Sequence, residues 1–552
     1  MKYSKPNLAN KLVILGFGLA YVVWASVFIY KSSFIAIDGE RHFSLFDDAM
    51  ISMRYAWNLS HGLGLVWNPG ERVEGFTNML LVLYMSLFTG ILSKGGAVLA
   101  VQVSGIVFML STAFFTMKIG GLLLARTGRD GAGSLDWLFF LAGLLYYPLS
   151  YWSLMGMDTG LLTALLLAAV WVALRADDDV RFVPALPLLL GLAFWTRPDA
   201  AVPGAIIMGY RLLRLRRASA SAWKRTLLRE ICIIALFAAS ITLFRLVYYG
   251  SPLPNTYTLK MTGFPLYHRL ISGWGFLKLY LVDAWPVLVL IGAAVAYRPH
   301  RRAVLLLVLI LASLFYQVYV GGDPWIYWRM MAPYMPLVFV LLVGVAFEIR
   351  GSLARFGRIA SLALVVVASA LCLGGALLLN WDFRREATFE LPPYNTEFNH
   401  AAVSAALAIE AVTTEDASVG VVWAGGLPYY SGRKAIDFLG RTDANVASLQ
   451  ADCSGTIAWR GMKSVPGHNK YDLEYSIVEL KPTYVQRAKW GKDNVLPFLK
   501  REYKAGWYKG VPLTLKKNSP YVKWQEVEST PPKGLSRTVK DMIRTTEKRY
   551  ER

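Results

Sequence analysis

Apolar runs of about twenty residues, repeated through the first 380 residues, constrain this chain more than any other feature. Residues 12–30, 231–249 and 359–379 are three of them, each long enough to cross ~30 Å of hydrocarbon as a helix. Their number excludes a chain held by a single anchor. Charged residues make up only 17% of the sequence, against about 25% in an average soluble protein. The 18 Trp and 29 Tyr suit side chains that sit at the level of the lipid headgroups.

The net charge of +21 could indicate nucleic acid, but its distribution points elsewhere. Seven Lys and Arg fall between Arg211 and Arg229, three between Arg298 and Arg302, three between Arg350 and Arg358, and Arg126 and Arg129 share another loop. Short basic loops between apolar runs are the mark of a cytoplasmic face, so no nucleic-acid partner is expected. Lys2, Lys5 and Lys11 precede residues 12–30, which read as a first spanning helix with its N-terminus inside. That run is too long for a signal peptide and lacks a clear cleavage site. Cys232, Cys372 and Cys453 are scattered, and they form neither a disulfide framework nor a metal spacing.

With this orientation a long external loop occupies 31–75. Residues 76–92 are expected to lie along or dip into the outer leaflet, because a full crossing would put Arg126 and Arg129 outside. Further spans are expected near 97–124, 136–154, 159–174, 181–196, 199–213, 229–248, 276–297, 303–320, 331–349 and 359–379. The sequence thus predicts an α-helical polytopic membrane protein with about eleven transmembrane helices over 1–380. Beyond Asn380 the composition is that of a soluble domain. Residues 417–423, 435–439 and 483–486 read as short strands and 400–412 as a helix, so 381–552 is expected to be an extracytoplasmic α/β domain. The polar tail after Thr530 could carry one weak amphipathic helix.

The first external loop holds two adjacent carboxylates, Asp47 and Asp48, followed by Arg54 and, at its far end, Asn78. Apolar residues from 47 to 59 have helical spacing, so this segment could lie flat on the outer leaflet with one carboxylate facing a cavity. Asp158, Arg197 with Asp199, Asn255 with Lys260, and Asp323 with Arg329 mark the outer ends of later helices. Any one of them alone reads as a cap or an ion pair. Their gathering on one membrane face is the pattern of an active site.

The run DDAMISMRYAWNLSHGLGLVWNPGERVEGFTN is followed in order by FWTRPDA, YYGSPLPNTYTLK, GGDPWIYWRMMAPYMPL, IDFLGRTDANVA and PGHNKYD. Together they resemble the GT-C arabinofuranosyltransferases related to the mycobacterial terminal arabinofuranosyltransferase. The resemblance implies a GT-C membrane domain whose catalytic loop is 31–75. It implies sugar transfer outside the cytoplasm from a polyprenyl-phosphate-linked donor, decaprenyl- or undecaprenyl-phosphoryl arabinofuranose, to a glycan or glycoprotein acceptor.

The chemistry such a transfer needs matches the residue types. Polyprenyl phosphate leaves readily, so one carboxylate suffices as base for the acceptor hydroxyl. A single displacement inverts the anomeric carbon. Asp47, ahead of Asp48, is the candidate base. Arg197, Lys260 and Arg329 are candidates to hold the donor phosphate, with the lipid tail in a groove between apolar helices. Arg54, Asn78, Asn255, Asp323 and His468 are expected to contact substrate, His468 by a fold-back of its loop with Asp437 and Asp443. No metal and no other cofactor is expected. A protein O-glycosyltransferase of the mannosyltransferase-like type, with for example a pilin acceptor, is the alternative within this chemistry. A lipid-linked sugar transporter or an envelope scaffold lies outside it, and one-sided placement of the polar groups argues against both.

Overall fold

The structure, a computed structural model, describes residues 8–124, 136–176, 181–216, 222–297, 300–353 and 381–530. The expected span at 359–379, the loop of Arg126 and Arg129, and the tail after Thr530 lie outside the described residues.

The chain begins with α1 (Leu8–Ser32) and a short hairpin of β1 (Phe34–Ile35) and β2 (Arg41–His42). The loop helix α2 (Asp47–Ser60) and α3 (Met79–Thr89) follow. The helical series continues with α4 (Lys94–Leu124), α5 (Asp136–Leu145), α6 (Tyr147–Leu154), α7 (Asp158–Arg175), α8 (Ala185–Thr196) and α9 (Ala201–Leu215). After these come α10 (Ala222–Tyr249), the short α11 (Asn255–Met261), α12 (Leu266–Tyr297), α13 (Arg301–Val320) and α14 (Met335–Leu353).

Five helices among the described residues are long and apolar enough to cross a membrane, or six when α12 is taken as one bent span. The expected count of about eleven therefore exceeds what these residues supply, although helices stand at nearly every expected position. Hydropathy does not separate a lipid-facing helix from one buried in protein. The single span expected at 136–154 is two helices, α5 and α6, parted at Tyr146, whose backbone is extended (ψ 94°). All eight residues of α6 are buried. α3 has eleven residues, a rise of about 16 Å and so about half the hydrocarbon thickness.

Beyond the membrane helices come α15 (Trp381–Ala387) and α16 (Thr396–Val412), then alternating elements: β3 (Ser418–Val421), α17 (Gly426–Ser431), β4 (Lys434–Asp437), α18 (Ala444–Ser448) and β5 (Tyr484–Val485). The short pair β6 (Lys489–Trp490) and β7 (Asp493–Asn494), α19 (Leu496–Glu502), β8 (Tyr503–Tyr508) and β9 (Val511–Lys516) complete the series. One five-stranded sheet runs β4-β3-β5-β9-β8. β3 is parallel to both β4 and β5, while β9 is antiparallel to β5 and to β8. Val419 and Val421 are fully buried, as a central parallel strand covered on both faces requires. The three parallel strands put their carboxyl ends on one edge, the edge where open α/β sheets gather ligand-binding loops. Here that edge meets the loop that follows α1.

The long loop between α2 and α3 is held by a buried ion pair: Arg245 of α10 grips Glu74 with contacts of 2.8 to 3.0 Å. The Glu74 carbonyl also accepts the backbone N–H of Asn255 at 3.0 Å, tying α10, α11 and the loop together.

Candidate active site

α2 opens with two carboxylates in its first turn, where the unpaired N–H groups favour negative charge. Phe46, just ahead of it, is extended and fully buried. Its ring packs edge-on against Trp152 and Trp325, with centroids 4.9 and 4.7 Å away. The helix start is thereby fixed against α6 and the loop after α13. α2 is not an amphipathic helix resting on a leaflet: ten of its fourteen residues are buried. The C-terminal domain covers the side that would have faced lipid or water.

The two carboxylates have different surroundings. Asp47 Oδ1 accepts the backbone N–H groups of Gly425 (3.1 Å) and Gly426 (3.0 Å), which follow β3. Among the described residues nothing donates to Asp47 Oδ2. Burial pushes the Asp47 carboxyl up to about 7, and neighbouring Asp48 adds to this against the two backbone donors. Asp48 lies between two guanidinium groups, with Oδ2 2.9 Å from Arg329 Nη1 and Oδ1 2.6 Å from Arg441 Nη1. Burial disfavours its charge, but Arg441, Arg329 and Lys260 outweigh that and hold it well below the usual carboxylate range. Arg329 also donates to Asp323 at 2.6 Å.

Lys260, at the end of α11, completes the cluster. It is held among Arg441, Arg329, Asp48 and Asp323 electrostatically, yet its ammonium makes no hydrogen bond or ion pair with any described residue. Burial, with Arg441 and Arg329 beside it, pushes its pKa down to about 8. Asp48 and Asp323 pair with Arg329 and Arg441, and Lys260 stands beside them as the cation with no partner among the described residues. Such a site attracts an anion.

The other expected residues fall in three places. Arg197 lies one layer away: it grips Asp199 with two contacts of 2.9 Å, stands 3.5 Å from Asp158, and touches Met330 beside Arg329. His468 stands in a group of indoles next to the cluster, its ring 5.7 Å from Trp325 and 6.1 Å from Trp423. Burial and nearby Arg441 push it down to about 4, so it is neutral near pH 7.

Asn255 is committed to the loop after β4. Its amide donates to the carbonyls of Gly440 and Arg441, both at 2.9 Å, and so holds the loop that brings Arg441 in. Arg54 is engaged within the protein. Its guanidinium donates to the carbonyls of Trp67 (2.6 Å), Arg433 (2.8 Å) and Pro428 and to the Asn68 side chain (3.1 Å). It joins α2 to the C-terminal domain. Asn78 is buried and accepts from the Ser52 hydroxyl at 3.1 Å, which braces α3 against α2. The expected substrate contacts thus divide: Asp323 and His468 stand at the charge cluster, while Arg54, Asn78 and Asn255 hold its frame.

Arg441 is the residue that the sequence reading left out. It follows β4, whose last residue, Asp437, accepts N–H groups from Leu439 (3.0 Å) and Thr442 (2.8 Å) and folds the loop tightly. Adjacent parallel strands therefore deliver Gly425 and Gly426 to Asp47, and Arg441 to Asp48. The signal available was the motif IDFLGRTDANVA, in which an Arg follows a strand and precedes a capped helix. Among the described residues no group of three or more His, Cys, Asp or Glu is placed to hold a metal ion.

The approach at Gly425 is close enough to test. A Cβ there would fall 2.0 Å from the Asp47 carbonyl oxygen. Gly425→Ala is expected to destabilise the protein by about 1–3 kcal/mol, the usual cost of overpacking, visible as a lower thermal midpoint in detergent. A variant that melts with wild type would show that the domain does not seat on α2 this tightly.

A family model described as a domain of unknown function, DUF8728, matches residues 391–525. The chain is 29% identical over 230 residues to the terminal beta-(1->2)-arabinofuranosyltransferase of Mycobacterium tuberculosis, covering 39% of this chain and 34% of that one. It is 26% identical over 347 residues to the same-named protein of Corynebacterium glutamicum, covering 54% and 47%. The alignments therefore span less than half the length of either relative. Among solved structures it matches ArnT from Cupriavidus metallidurans bound to undecaprenyl phosphate, at 13% identity, over 76% of this chain and 86% of that one, with a TM-score of 0.46. It also matches the Archaeoglobus fulgidus oligosaccharyltransferase, at 11% identity, over 93% and 75%, with a TM-score of 0.48. This chain is a helical membrane protein with a C-terminal β-sheet that resembles the terminal beta-(1->2)-arabinofuranosyltransferases.

Proposed function

We propose that the chain is an extracytoplasmic glycosyltransferase that moves arabinofuranose from a polyprenyl-phosphate donor to a glycan acceptor. One observation carries the reading: beside Asp47, a buried cluster pairs Asp48 and Asp323 with Arg329 and Arg441 and leaves Lys260 without a partner among the described residues. A polyprenyl-phosphoryl sugar carries one negative charge, which that ammonium can meet. The name shared by the two curated relatives supports the sugar. N-terminus inside and catalytic face outside is the orientation the basic loops favour.

In this mechanism Asp47 Oδ2 takes the proton of an acceptor hydroxyl as its oxygen bonds to the anomeric carbon. The bond from that carbon to the phosphate oxygen breaks, and the electron pair leaves with the polyprenyl phosphate. The phosphate goes from one negative charge to two, and Lys260, with Arg329 and Arg441 behind it, stabilises that increase. Asp48 is unsuited to covalent attack, because each of its oxygens faces a guanidinium; it holds the two arginines apart and in place. The lipid tail lies between the apolar helices.

The test uses the purified full chain in lipid nanodiscs with polyprenyl-phosphoryl arabinofuranose and synthetic arabinofuranosyl oligosaccharides. Transfer with inversion at the anomeric carbon is expected, read by nuclear magnetic resonance of the product. Retention would overturn the single displacement. No turnover of this donor, with another polyprenyl sugar accepted, would overturn the sugar.

A further inference from the structure

Beside the charge cluster, on the C-terminal-domain side, lies a cavity of about 1030 Å³, the size of site that takes an oligomeric small ligand. Four tryptophans line it: Trp325, Trp423, Trp459 and Trp490. Two are clamped by their indole N–H groups, Trp459 to the Pro324 carbonyl at 2.8 Å and Trp490 to the His468 carbonyl at 3.0 Å. Trp423 is crossed edge-on by Trp490 (6.1 Å) and Phe398 (5.6 Å). Its backbone N–H is held by the Gln486 side chain at 3.1 Å. These are rigid aromatic faces with little rotamer freedom left to lose on binding.

The polar groups of the cavity are one-sided. Arg487, Lys489 and Lys509 stand at it, and no Asp or Glu among the described residues lines it. His468 contributes a buried Nδ1 with no hydrogen-bond partner. The cavity adjoins the candidate active site across a shared wall. Trp325 lines it and packs on Phe46, next to Asp47, and Gly467, beside His468, abuts the Lys260 side chain, a Cβ there falling 3.1 Å from its Cε.

Resting on the transferase reading, we propose that this cavity is the acceptor site and that it takes an extended glycan chain bearing negative charge. Sugar rings would stack on Trp423 and Trp490, acidic groups would lie against Arg487 and Lys489, and the growing end would pass Trp325 to reach Asp47. A peptide acceptor has no such need of stacked indole faces. A lipid tail fits poorly, because the walls come mainly from the C-terminal domain and carry cations.

The experiment measures binding without donor, so a failure of the transferase reading does not decide it. Full-length protein in nanodiscs is titrated with an α-linked tetragalacturonate and its carboxyl-reduced neutral counterpart, read by tryptophan fluorescence. Wild type is expected to bind the charged chain about tenfold tighter at low salt, a preference that fades as salt screens it. Arg487→Gln with Lys489→Gln, at two exposed positions, should remove that preference. Trp490→Ala should weaken both probes about tenfold, and Trp490→Phe should restore most of the loss. Equal binding of the two chains, binding that ignores these substitutions, or a tetra-aspartate peptide bound as tightly as the glycan would overturn the proposal.

Discussion

Asp47→Asn is expected to lower the rate of transfer by about 10²–10⁴, the range a positioned general base supplies, while donor binding is retained. The substitution is nearly isosteric. The asparagine oxygen can still accept from Gly425 and Gly426 at the 3.0 to 3.1 Å now seen, so the C-terminal domain stays seated and the loss is chemical. The amide cannot take a proton from the acceptor. Asp48→Asn should behave differently, because its charge separates Arg329 from Arg441, each within 3 Å. Removing it takes one negative charge away from the three cations, so the donor should bind no more weakly while turnover drops as the two arginines shift. The two variants are to be compared in single-turnover assays at saturating donor, with near-ultraviolet circular dichroism as the check on folding. If Asp47→Asn keeps more than about a tenth of wild-type turnover and Asp48→Asn keeps none, the roles are reversed.

What could be read before the structure, and what could not, follows from how far apart the interacting groups lie. The apolar runs are local, and helices stand at nearly every one that falls on described residues. Their number as spans was not legible, because α6 and α8 are apolar but short, and α6 is wholly buried in protein. The strands at 417–423, 435–439 and 483–486 were legible as apolar segments between turn residues, and β3, β4 and β5 lie within a residue of those ranges. The hairpin of β8 and β9 was missed, because its two-residue turn, Lys509-Gly510 with positive φ at both (46° and 83°), lacks the Asn or Asp ahead of Gly that announces such turns.

In the site, adjacent carboxylates ahead of a helical segment are visible to a reader of sequence. Which partner each carboxylate receives is not. Asp47 meets Gly425 and Gly426 across 378 and 379 positions, and Asp48 meets Arg441 across 393. The same distance in sequence hid the fate of Arg54, which serves backbone carbonyls of a domain that the loop itself does not reveal. α2 has the apolar spacing of a helix resting on a membrane; only the sheet edge above it makes that helix a buried one.

Lys260→Ala is expected to lower kcat/KM by about 10²–10³, as loss of one preorganised charge at a transition-state oxygen does, and to remove the alkaline limb of the pH profile. The sign follows from the two shifted groups. The base must be ionised, and burial places Asp47 at about 7, so kcat/KM climbs as pH rises through that value. The phosphate site needs Lys260 charged, and its pKa is pushed down to about 8, so kcat/KM falls as pH rises through that one. Because kcat/KM reports the free enzyme, its bell is expected to be narrow, with its top between the two. Bound donor brings a negative charge to the ammonium and raises its pKa, so the alkaline limb of kcat should lie at higher pH than that of kcat/KM. Lys260→Arg, which stays charged throughout this range, should restore part of the activity and carry the limb beyond pH 10. A second consequence separates charge stabilisation from simple donor binding. The leaving polyprenyl phosphate bears one more negative charge than the donor, so Lys260→Ala should weaken product inhibition more than it raises the donor KM. Equal losses in the two constants would mean that Lys260 merely holds the donor, and that the charge formed in the transition state is met by Arg329 and Arg441.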